Sequence, residues 1–201
     1  MDALVIGKPN AGKSLFVVNF AAYQGLKDIR LEMIDRDGVQ RHQRLPLDRA
    51  RRQLVSRVAH KTGTVQSIEI DLAYGKTRRT LTMTDTVGIG EGIHQETAIR
   101  RAMAETLDQL GRSQLVLHLV DASAIGSGRI EAVGPVDDEI ARYASLMGPY
   151  AILANKLDVP GAGDGLQRVR DRYRGLPVIG ISALTRRGFR EVKAFVFRHL
   201  A

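Results

Sequence analysis

Apolar runs and amphipathic stretches alternate along nearly the whole chain. The predicted strands, by their apolar or alternating pattern, are Leu4–Ile6, Gln66–Tyr74, Arg79–Thr84, Leu115–Val120, Tyr150–Ala154 and Val178–Ile181. The predicted helices are Lys13–Tyr23, Ala98–Leu110, Asp137–Met147, Gly165–Tyr173 and Gly188–Leu200. This alternation predicts an α/β fold in three layers, with a mostly parallel central sheet and helices on both faces.

One predicted hairpin makes a single strand of this sheet antiparallel. The strand Gln66–Tyr74 is followed by a short turn at Gly75-Lys76 and then by its partner strand. Its alternating aliphatic residues share one face, whereas Glu69 and Asp71 lie on the other face. We therefore expect the carboxylate-bearing face of the hairpin to be wet.

The segment from about Gly25 to Lys61 interrupts the alternation with a high density of charge. It holds ten Lys or Arg and five Asp or Glu, so its net charge of +5 is more than half of the chain's +8. Within it, Asp37-Gly38 between two alternating stretches predicts a hairpin turn. Asp48 to Val58 fits a short helix capped by Asp48. We interpret the segment, residues 25–61, as a basic insertion in a single domain that spans 1–201.

The bulk composition narrows the class of protein further. The chain of 201 residues suffices for one domain, and the absence of cysteine excludes a disulfide framework and thiolate chemistry. No stretch approaches the roughly 20 apolar residues that a membrane-spanning helix needs, and the N-terminus lacks a basic leader. We expect a cytoplasmic protein without an integral membrane segment. The net charge of +8 favours polyanionic partners, although an arginine-rich composition alone also explains it.

A phosphate-binding loop follows the first predicted strand directly. Residues 7–14 have the sequence GKPNAGKS, a complete G-x-x-x-x-G-K-S between a strand and a helix, which is the context that the P-loop requires. Backbone N–H groups of such a loop cradle phosphates at a helix N-terminus. Lys13 supplies a cation for the β- and γ-phosphates, and the hydroxyl of Ser14 ligates Mg²⁺. The predicted nucleotide contacts of this loop are Asn10, Ala11, Gly12, Lys13, Ser14 and Leu15.

A second phosphate-side motif, Asp85-Thr86-Val87-Gly88, ends the strand Arg79–Thr84. An aspartate at this place holds magnesium through water. The backbone N–H of Gly88 is placed to approach a γ-phosphate. The motif is weak by itself and gains weight from its position after a P-loop.

A base-specificity motif, Asn155-Lys156-Leu157-Asp158, follows the strand Tyr150–Ala154. It resembles the N-K-x-D motif of the Ras-like and translation-factor-like P-loop GTPases. Guanine presents two donors on one edge, and a single carboxylate, that of Asp158, accepts both. Adenine lacks that pair, so large discrimination between the two bases is expected. The resemblance also implies that Lys156 lies along the base and that Asn155 ties the loops together.

Two further elements complete the resemblance. Ser182-Ala183-Leu184 after the last strand is similar to the loop whose backbone contacts the guanine oxygen in these GTPases. The family's switch threonine, which ligates Mg²⁺ and the γ-phosphate in the GTP state, is either Thr62 or Thr64, and the spacing to Asp85 favours Thr64 slightly. The long separation between Ser14 and this threonine departs from the family pattern.

The P-loop sequence pattern G-x-P-N-x-G-K-S resembles more narrowly that of the Era, EngA and TrmE group of small GTP-binding domains. Ile89 follows the D-x-x-G motif where Ras-type enzymes have a glutamine that orients water. The resemblance implies that Asn10 helps to bind K⁺ beside the phosphates instead, so we assign catalytic roles to Lys13, Asn10 and Thr64. An asparagine that only shapes the loop is the alternative. His94 in the following loop is a weaker catalytic candidate.

Three functions follow from these observations. The first is a switch that hydrolyses GTP to GDP, slowly without a partner or K⁺. The second is a regulatory module that senses GTP and GDP with negligible hydrolysis, which the missing glutamine favours. The third is contact with RNA or the ribosome through residues 27–61, which predicts an affinity that falls steeply with salt. Nucleotide-dependent homodimerisation is a further expectation, since some relatives with an apolar residue after D-x-x-G use it.

Overall fold

Strands and helices alternate in the computed structural model, which describes residues 2–34, 40–55, 65–74, 76–85, 110–129 and 132–199. Its strands are β1 Asp2–Ile6, β2 Asp28–Ile34, β3 Gln40–Pro46, β4 Val65–Tyr74, β5 Thr77–Asp85, β6 Leu115–Asp121, β7 Tyr150–Asn155 and β8 Val178–Gly180. Its helices are α1 Lys13–Tyr23, α2 Leu47–Val55, α3 Ala122–Gly126, α4 Pro135–Met147, α5 Ala162–Arg172 and α6 Phe189–Arg198. The predicted helix Ala98–Leu110 lies outside the described residues except for Leu110, which is helical.

The described strands form one sheet in the order β3-β2-β4-β5-β1-β6-β7-β8. From β5 to β8 the neighbours run parallel. The pairs β4–β5, β2–β4 and β2–β3 are antiparallel. The predicted α/β fold with a mostly parallel sheet is confirmed. The strands with the most continuous apolar runs, β1, β6 and β7, are those with parallel neighbours on both sides.

The charged segment adds two strands to this sheet that the sequence-based strand assignment lacks. Residues 28–34 (β2) pair with residues 40–46 (β3) in antiparallel orientation. Both β3 and β4 therefore run opposite to the other strands, whereas only one antiparallel strand was expected. The hairpin belongs to the sheet because Ile29, Leu31 and Leu45 alternate with its charged residues and are fully buried. The predicted turn at Asp37-Gly38 lies outside the described residues.

The helix after this hairpin begins one residue earlier than predicted. It starts at Leu47, so Asp48 stands in its first turn and not at the cap. There its carboxylate accepts a hydrogen bond from Arg52 Nη2 at 3.0 Å, one turn further along. Ala50 faces the core, whereas Arg49 and Arg51 are exposed. Helix α2 therefore covers the sheet with a small residue and presents arginines to solvent.

Helices cover the sheet on both faces, which gives the predicted three layers. On one face α1 and α6 meet through Phe16, Phe20 and Phe189, with ring centroids 5.5–5.6 Å apart, and α2 joins the same core. On the other face α4 and α5 pack against β1, β6 and β7. Glu69 and Asp71 are exposed, as predicted. No helix in the described ranges has both the length and the apolar character to cross a membrane.

Helices α3 and α5 touch through their backbones because two glycines face each other's chain. A Cβ atom on Gly165 would lie 1.8 Å from the carbonyl oxygen of Ala122, and one on Gly126 would lie 2.0 Å from that of Gly161. Arg168 also donates to the carbonyl of Ile125 at 3.0 Å. This close contact places the loop before α5 against the end of β6. Helix α3 has only five residues, too few for a sequence period to reveal it.

Replacing Gly165 by alanine tests this contact, with Gly163→Ala as a control in the same helix. We expect Gly165→Ala to lower the free energy of unfolding by about 2 kcal/mol or more, because the methyl group must push two backbones apart. A methyl group on Gly163 meets nothing within 4 Å, so that variant should be neutral or slightly stabilised by helix propensity. Urea unfolding of both variants measures the difference, and equal stabilities would contradict the close packing.

Candidate functional site

The predicted nucleotide motifs meet at one edge of the sheet, where the parallel strands end. The P-loop follows β1, and Asp85 at the end of β5 is in register with Val5 of β1. Asp121 at the end of β6 is in register with Asn155 at the end of β7. Ser182 follows β8. Ligands of open α/β sheets bind at this carboxyl edge, so the sheet topology assembles motifs that are far apart in sequence.

The P-loop places Lys13 at the start of α1 with little exposure to solvent. Its side chain is 7% exposed, and its ammonium donates to the carbonyls of Gly7 at 2.9 Å and Lys8 at 3.1 Å. The ammonium therefore lies over the loop and not in solvent. Ser14 occupies the next position of the helix, and Leu15 packs against the core.

Gly12 has a backbone conformation and surroundings that no other residue fits. Its φ of 97° is in the left-handed region, and a Cβ atom there would lie 2.4 Å from Nδ2 of Asn155. It is also the residue before the first turn of α1. The second glycine of the P-loop motif is thus required both for the turn and for the approach of Asn155.

The amide of Asn155 joins the P-loop to the loop after β8. Its Nδ2 donates to the carbonyl of Ala11 at 2.7 Å, and its Oδ1 accepts from the N–H of Ala183 at 2.8 Å. The side chain is buried, so both bonds are shielded from water. Asn19 of α1 donates to the carbonyl of Ala183 at 2.6 Å. These two hydrogen bonds of Asn155 join the loops that it is predicted to tie together.

The two charged residues of the base-specificity motif, Lys156 and Asp158, are held by hydrogen bonds that involve a carboxylate. The hydroxyl of Ser182 donates to Asp158 Oδ1 at 2.5 Å and accepts from the N–H of Thr185 at 3.0 Å. The ammonium of Lys156 bonds Asp121 Oδ2 at 2.5 Å. Asp158 and Ser182, predicted separately, are thus in direct contact, whereas Leu184 is largely exposed at the rim.

Asp121 is a site residue that the sequence analysis did not identify. Its Oδ1 accepts from Ser123 Oγ at 2.6 Å and from the N–H of Ala124 at 3.0 Å, which caps α3, while Oδ2 binds Lys156. Burial raises the pKa of Asp121, but the hydrogen bonds and the charge of Lys156 outweigh it and leave the pKa below its usual range. An aspartate directly after a buried strand was the available signal.

Backbone strain is concentrated in the same three loops. Among the described non-glycine residues, positive φ angles occur at Asn10 (62°), Lys156 (71°) and Arg186 (67°). They belong to the P-loop, the base-specificity loop and the turn after Ser182-Ala183-Leu184. Such conformations cost roughly 1 kcal/mol each and collect at functional sites, where the surrounding contacts maintain them. Their distribution supports the assignment of these loops to one site.

Several predicted site residues lie outside the described residues. These are Thr62, Thr64, Gly88, Ile89 and His94. Asp85 is described through its backbone position only. The magnesium, switch and water-activating assignments that depend on these side chains therefore stay predictions.

Comparison with known families and proteins gives the following matches. The profile of a family described as 50S ribosome-binding GTPase matches residues 2–156. The GTPase Obg of Ruminiclostridium cellulolyticum is 28% identical over 128 residues, which cover 61% of this chain and 29% of that protein. The GTPase Obg of Anoxybacillus flavithermus is 31% identical over 118 residues, covering 57% and 27% respectively. The chain thus spans less than a third of the length of these relatives.

Solved structures share the fold at lower sequence identity. Era in complex with MgGDPNP and nucleotides 1506–1542 of 16S ribosomal RNA superposes with a TM-score of 0.61 and 20% identity, covering 100% of this chain and 56% of that one. The G domain of the T. maritima FeoB iron transporter gives a TM-score of 0.57 and 16% identity, with 100% and 99% coverage. These similarities support the α/β architecture.

Replacing Asp121 by asparagine isolates its ion pair with Lys156, because asparagine is also a good helix cap. The pKa of Asp121 is lower in the folded chain than in the unfolded one, so its stabilising effect is complete above the unfolded pKa and is lost as the pH falls through the folded pKa. We expect the variant to be less stable by about 1 kcal/mol at pH 7. The difference should shrink below about pH 4. Urea unfolding at pH 7, 5 and 3 measures it, and an equal difference at all three pH values would contradict the assignment.

Proposed function

The chain belongs to the 50S ribosome-binding GTPase family, and on that premise we propose that it binds GTP at the carboxyl edge of its sheet and hydrolyses it to GDP and phosphate. The observation that carries the proposal is the pair of hydrogen bonds from Asn155 to Ala11 and Ala183. They hold a phosphate-binding loop and a base-binding loop in one arrangement. The family match ends at Lys156, so the guanine assignment rests on Asp158 and Ser182 and on their geometry.

The base-binding half of the site has the chemistry that guanine needs. The carboxylate of Asp158 has one oxygen on Ser182 Oγ, which fixes the orientation of the carboxylate. An ionised carboxylate accepts hydrogen bonds only, so it suits the adjacent N–H groups of guanine and not the donor and acceptor edge of adenine. The backbone N–H of Ala183 donates to Asn155 and is therefore engaged within the protein. Leu184, the next residue, is exposed.

The phosphate half fits a nucleotide with Mg²⁺. The donor set implied by the family resemblance is a hydroxyl, from Ser14, and a carboxylate, from Asp85, whose backbone is in register with β1 just before the P-loop. Hard oxygen donors of this kind suit Mg²⁺. Bound there, the metal would neutralise charge on the phosphate oxygens. Lys13 and the N-terminus of α1 would bind and orient the same phosphates. Thr64, or alternatively Thr62, is proposed as the switch ligand.

Contact with RNA or the ribosome is the second part of the proposal. It is supported by the family description and by the RNA bound to the similar Era structure. The charges of the basic insertion are not uniform, because Arg30 pairs with Glu69 at 3.4 Å and Arg44 with Asp28 at 3.3 Å on the face of the sheet. We therefore assign phosphate contacts to the exposed arginines of α2, including Arg49 and Arg51. A cytoplasmic location and a nucleotide-dependent homodimer remain part of the same proposal.

Guanine selectivity is tested by replacing Asp158 with asparagine. The amide places a donor against the donors of guanine, so the affinity for GDP should fall at least about 100-fold. The matched control is Asp164→Asn, an exposed carboxylate in the first turn of α5, which should bind GDP like the wild type. Competition of GDP, GTP and ATP against a fluorescent GDP analogue gives the affinities. Equal binding of ATP and GTP by the wild type would exclude the proposed base site.

Asn10 is proposed to help bind K⁺ beside the phosphates, where a cation would supply charge that an arginine finger otherwise brings. Its φ of 62° suits glycine, so Asn10→Gly removes the amide without adding strain. We expect turnover of GTP with Mg²⁺ to be several-fold faster in K⁺ than in Na⁺, and the variant to lose this difference while it still binds GDP. Equal wild-type turnover in the two salts would exclude the role of Asn10, and no turnover in either would favour the GTP- and GDP-sensing function.

A further inference from the structure

A network of hydrogen-bonded polar side chains connects the sheet to the P-loop. His118, in the centre of β6, is fully buried, and its Nδ1 lies 2.8 Å from the hydroxyl of Tyr150 on β7. Its Nε2 lies 3.2 Å from Asp137 Oδ1 in the first turn of α4. Asp137 Oδ2 in turn lies 3.0 Å from the ammonium of Lys8, the second residue of the P-loop. The nucleotide contacts proposed above make no use of these four side chains.

The donors and acceptors of this buried network match one another from Tyr150 to Lys8. Tyr150 donates its hydroxyl proton to Nδ1 of His118, and the N–H at Nε2 donates to Asp137. The other oxygen of Asp137 accepts from the N–H of Gly134 at 2.7 Å and from Lys8. A buried network in which every member is satisfied is stiff. The carboxylate of Asp137, only 2% exposed, therefore has a fixed position and orientation.

The charge of Asp137 attracts the ammonium of Lys8, which lies 3.0 Å from its carboxylate. Burial raises the pKa of Asp137, but the hydrogen bond from His118, the N–H of Gly134 and the charge of Lys8 outweigh burial and leave the pKa below its usual range, so the carboxylate is ionised. The ammonium lies 3.5 Å from the Cβ position of Gly134, beside the N-terminus of α4. The dipole of that helix end repels a cation. The carboxylate of Asp137, 3.0 Å from the ammonium, supplies an attraction that opposes this repulsion.

Lys8 connects this network to the proposed phosphate contacts through its own backbone. Its carbonyl accepts from the ammonium of Lys13 at 3.1 Å and from the N–H of Ala11 at 3.2 Å. Pro9 follows it and restricts its backbone to extended conformations. The residue whose side chain pairs with Asp137 is thus also one of the two residues, with Gly7, whose carbonyls accept from the ammonium of Lys13.

We propose that Asp137 is a positioning residue of the nucleotide site: it fixes Lys8 and thereby one of the two carbonyls that orient Lys13, while His118 and Tyr150 fix Asp137 from the sheet. This inference deepens the proposed function and rests on it, because its effect is on nucleotide binding by the P-loop. Asp137 itself touches neither phosphate nor base in this assignment and acts through Lys8.

The test is a double-mutant cycle on the full chain with the variants Lys8→Met, Asp137→Asn and both together. The readouts are the affinity for GDP and, separately, turnover at saturating GTP. Asp138→Asn is the matched control, because this neighbouring carboxylate also makes an ion pair, with Arg172 at 2.8 and 2.5 Å, in which none of the P-loop residues takes part. Urea unfolding without nucleotide shows whether each variant is folded.

Each single variant should weaken GDP binding about tenfold, and the double variant should be no weaker than either single one. The GDP affinity of the control variant Asp138→Asn should stay within about twofold of the wild-type affinity. If Asp137 has only a structural role in α4, its substitution will have the same effect with or without Lys8, and this additive result overturns the proposal. Should Asp137→Asn fail to fold, Lys8→Met decides, and wild-type GDP affinity in that variant also overturns it. A wild type that does not bind GDP contradicts the proposed function instead.

Discussion

The side chain of Asn155 fixes the distance between the two halves of the proposed nucleotide site. An amide offers a donor and an acceptor on one rigid group, and here the donor serves the carbonyl of Ala11 and the acceptor serves the N–H of Ala183. An aspartate has no donor for the first bond, and an aliphatic residue would leave both backbone groups buried and unpaired. Gly12 completes the constraint, because any larger residue would occupy the place of the amide. The P-loop, the base loop and the turn after β8 are therefore one structural unit.

The sequence predicts most of this unit because its parts are local. The P-loop and the base-specificity motif are short runs directly after apolar strands, and parallel strands bring their carboxyl ends to one edge. The helices α1, α4 and α6 follow from apolar residues at helical spacing, and the order of the motifs identifies the edge at which they meet. That order places Asp158 and Ser182 at the same edge, but their direct contact was not predicted and is seen only in the structure.

The remaining features depend on contacts between distant residues, which no local pattern encodes. Asp121 looks like an ordinary strand end until the fold brings Lys156 to it, and His118 looks like an interruption of an apolar strand until Tyr150 and Asp137 surround it. The hairpin of the charged segment was predicted at its turn but not as part of the sheet, because its buried aliphatic residues are outnumbered by charges. Helix α3 is shorter than the window that periodicity needs.

The parts of the site are far apart in sequence, so they are synthesised at very different times. Asn155 lies 144 positions after its partner Ala11, and Asn19 lies 164 positions before its partner Ala183. At ordinary rates of translation the P-loop emerges on the order of 10 s before those partners exist. Strand β1 also waits for β5 and β6, because it pairs with no nearer strand. The nascent chain thus exposes the apolar strand β1 until β5 and β6 have been synthesised. By the proposed function, nucleotide can stabilise the assembled site only after Asn155 and Ala183 have emerged.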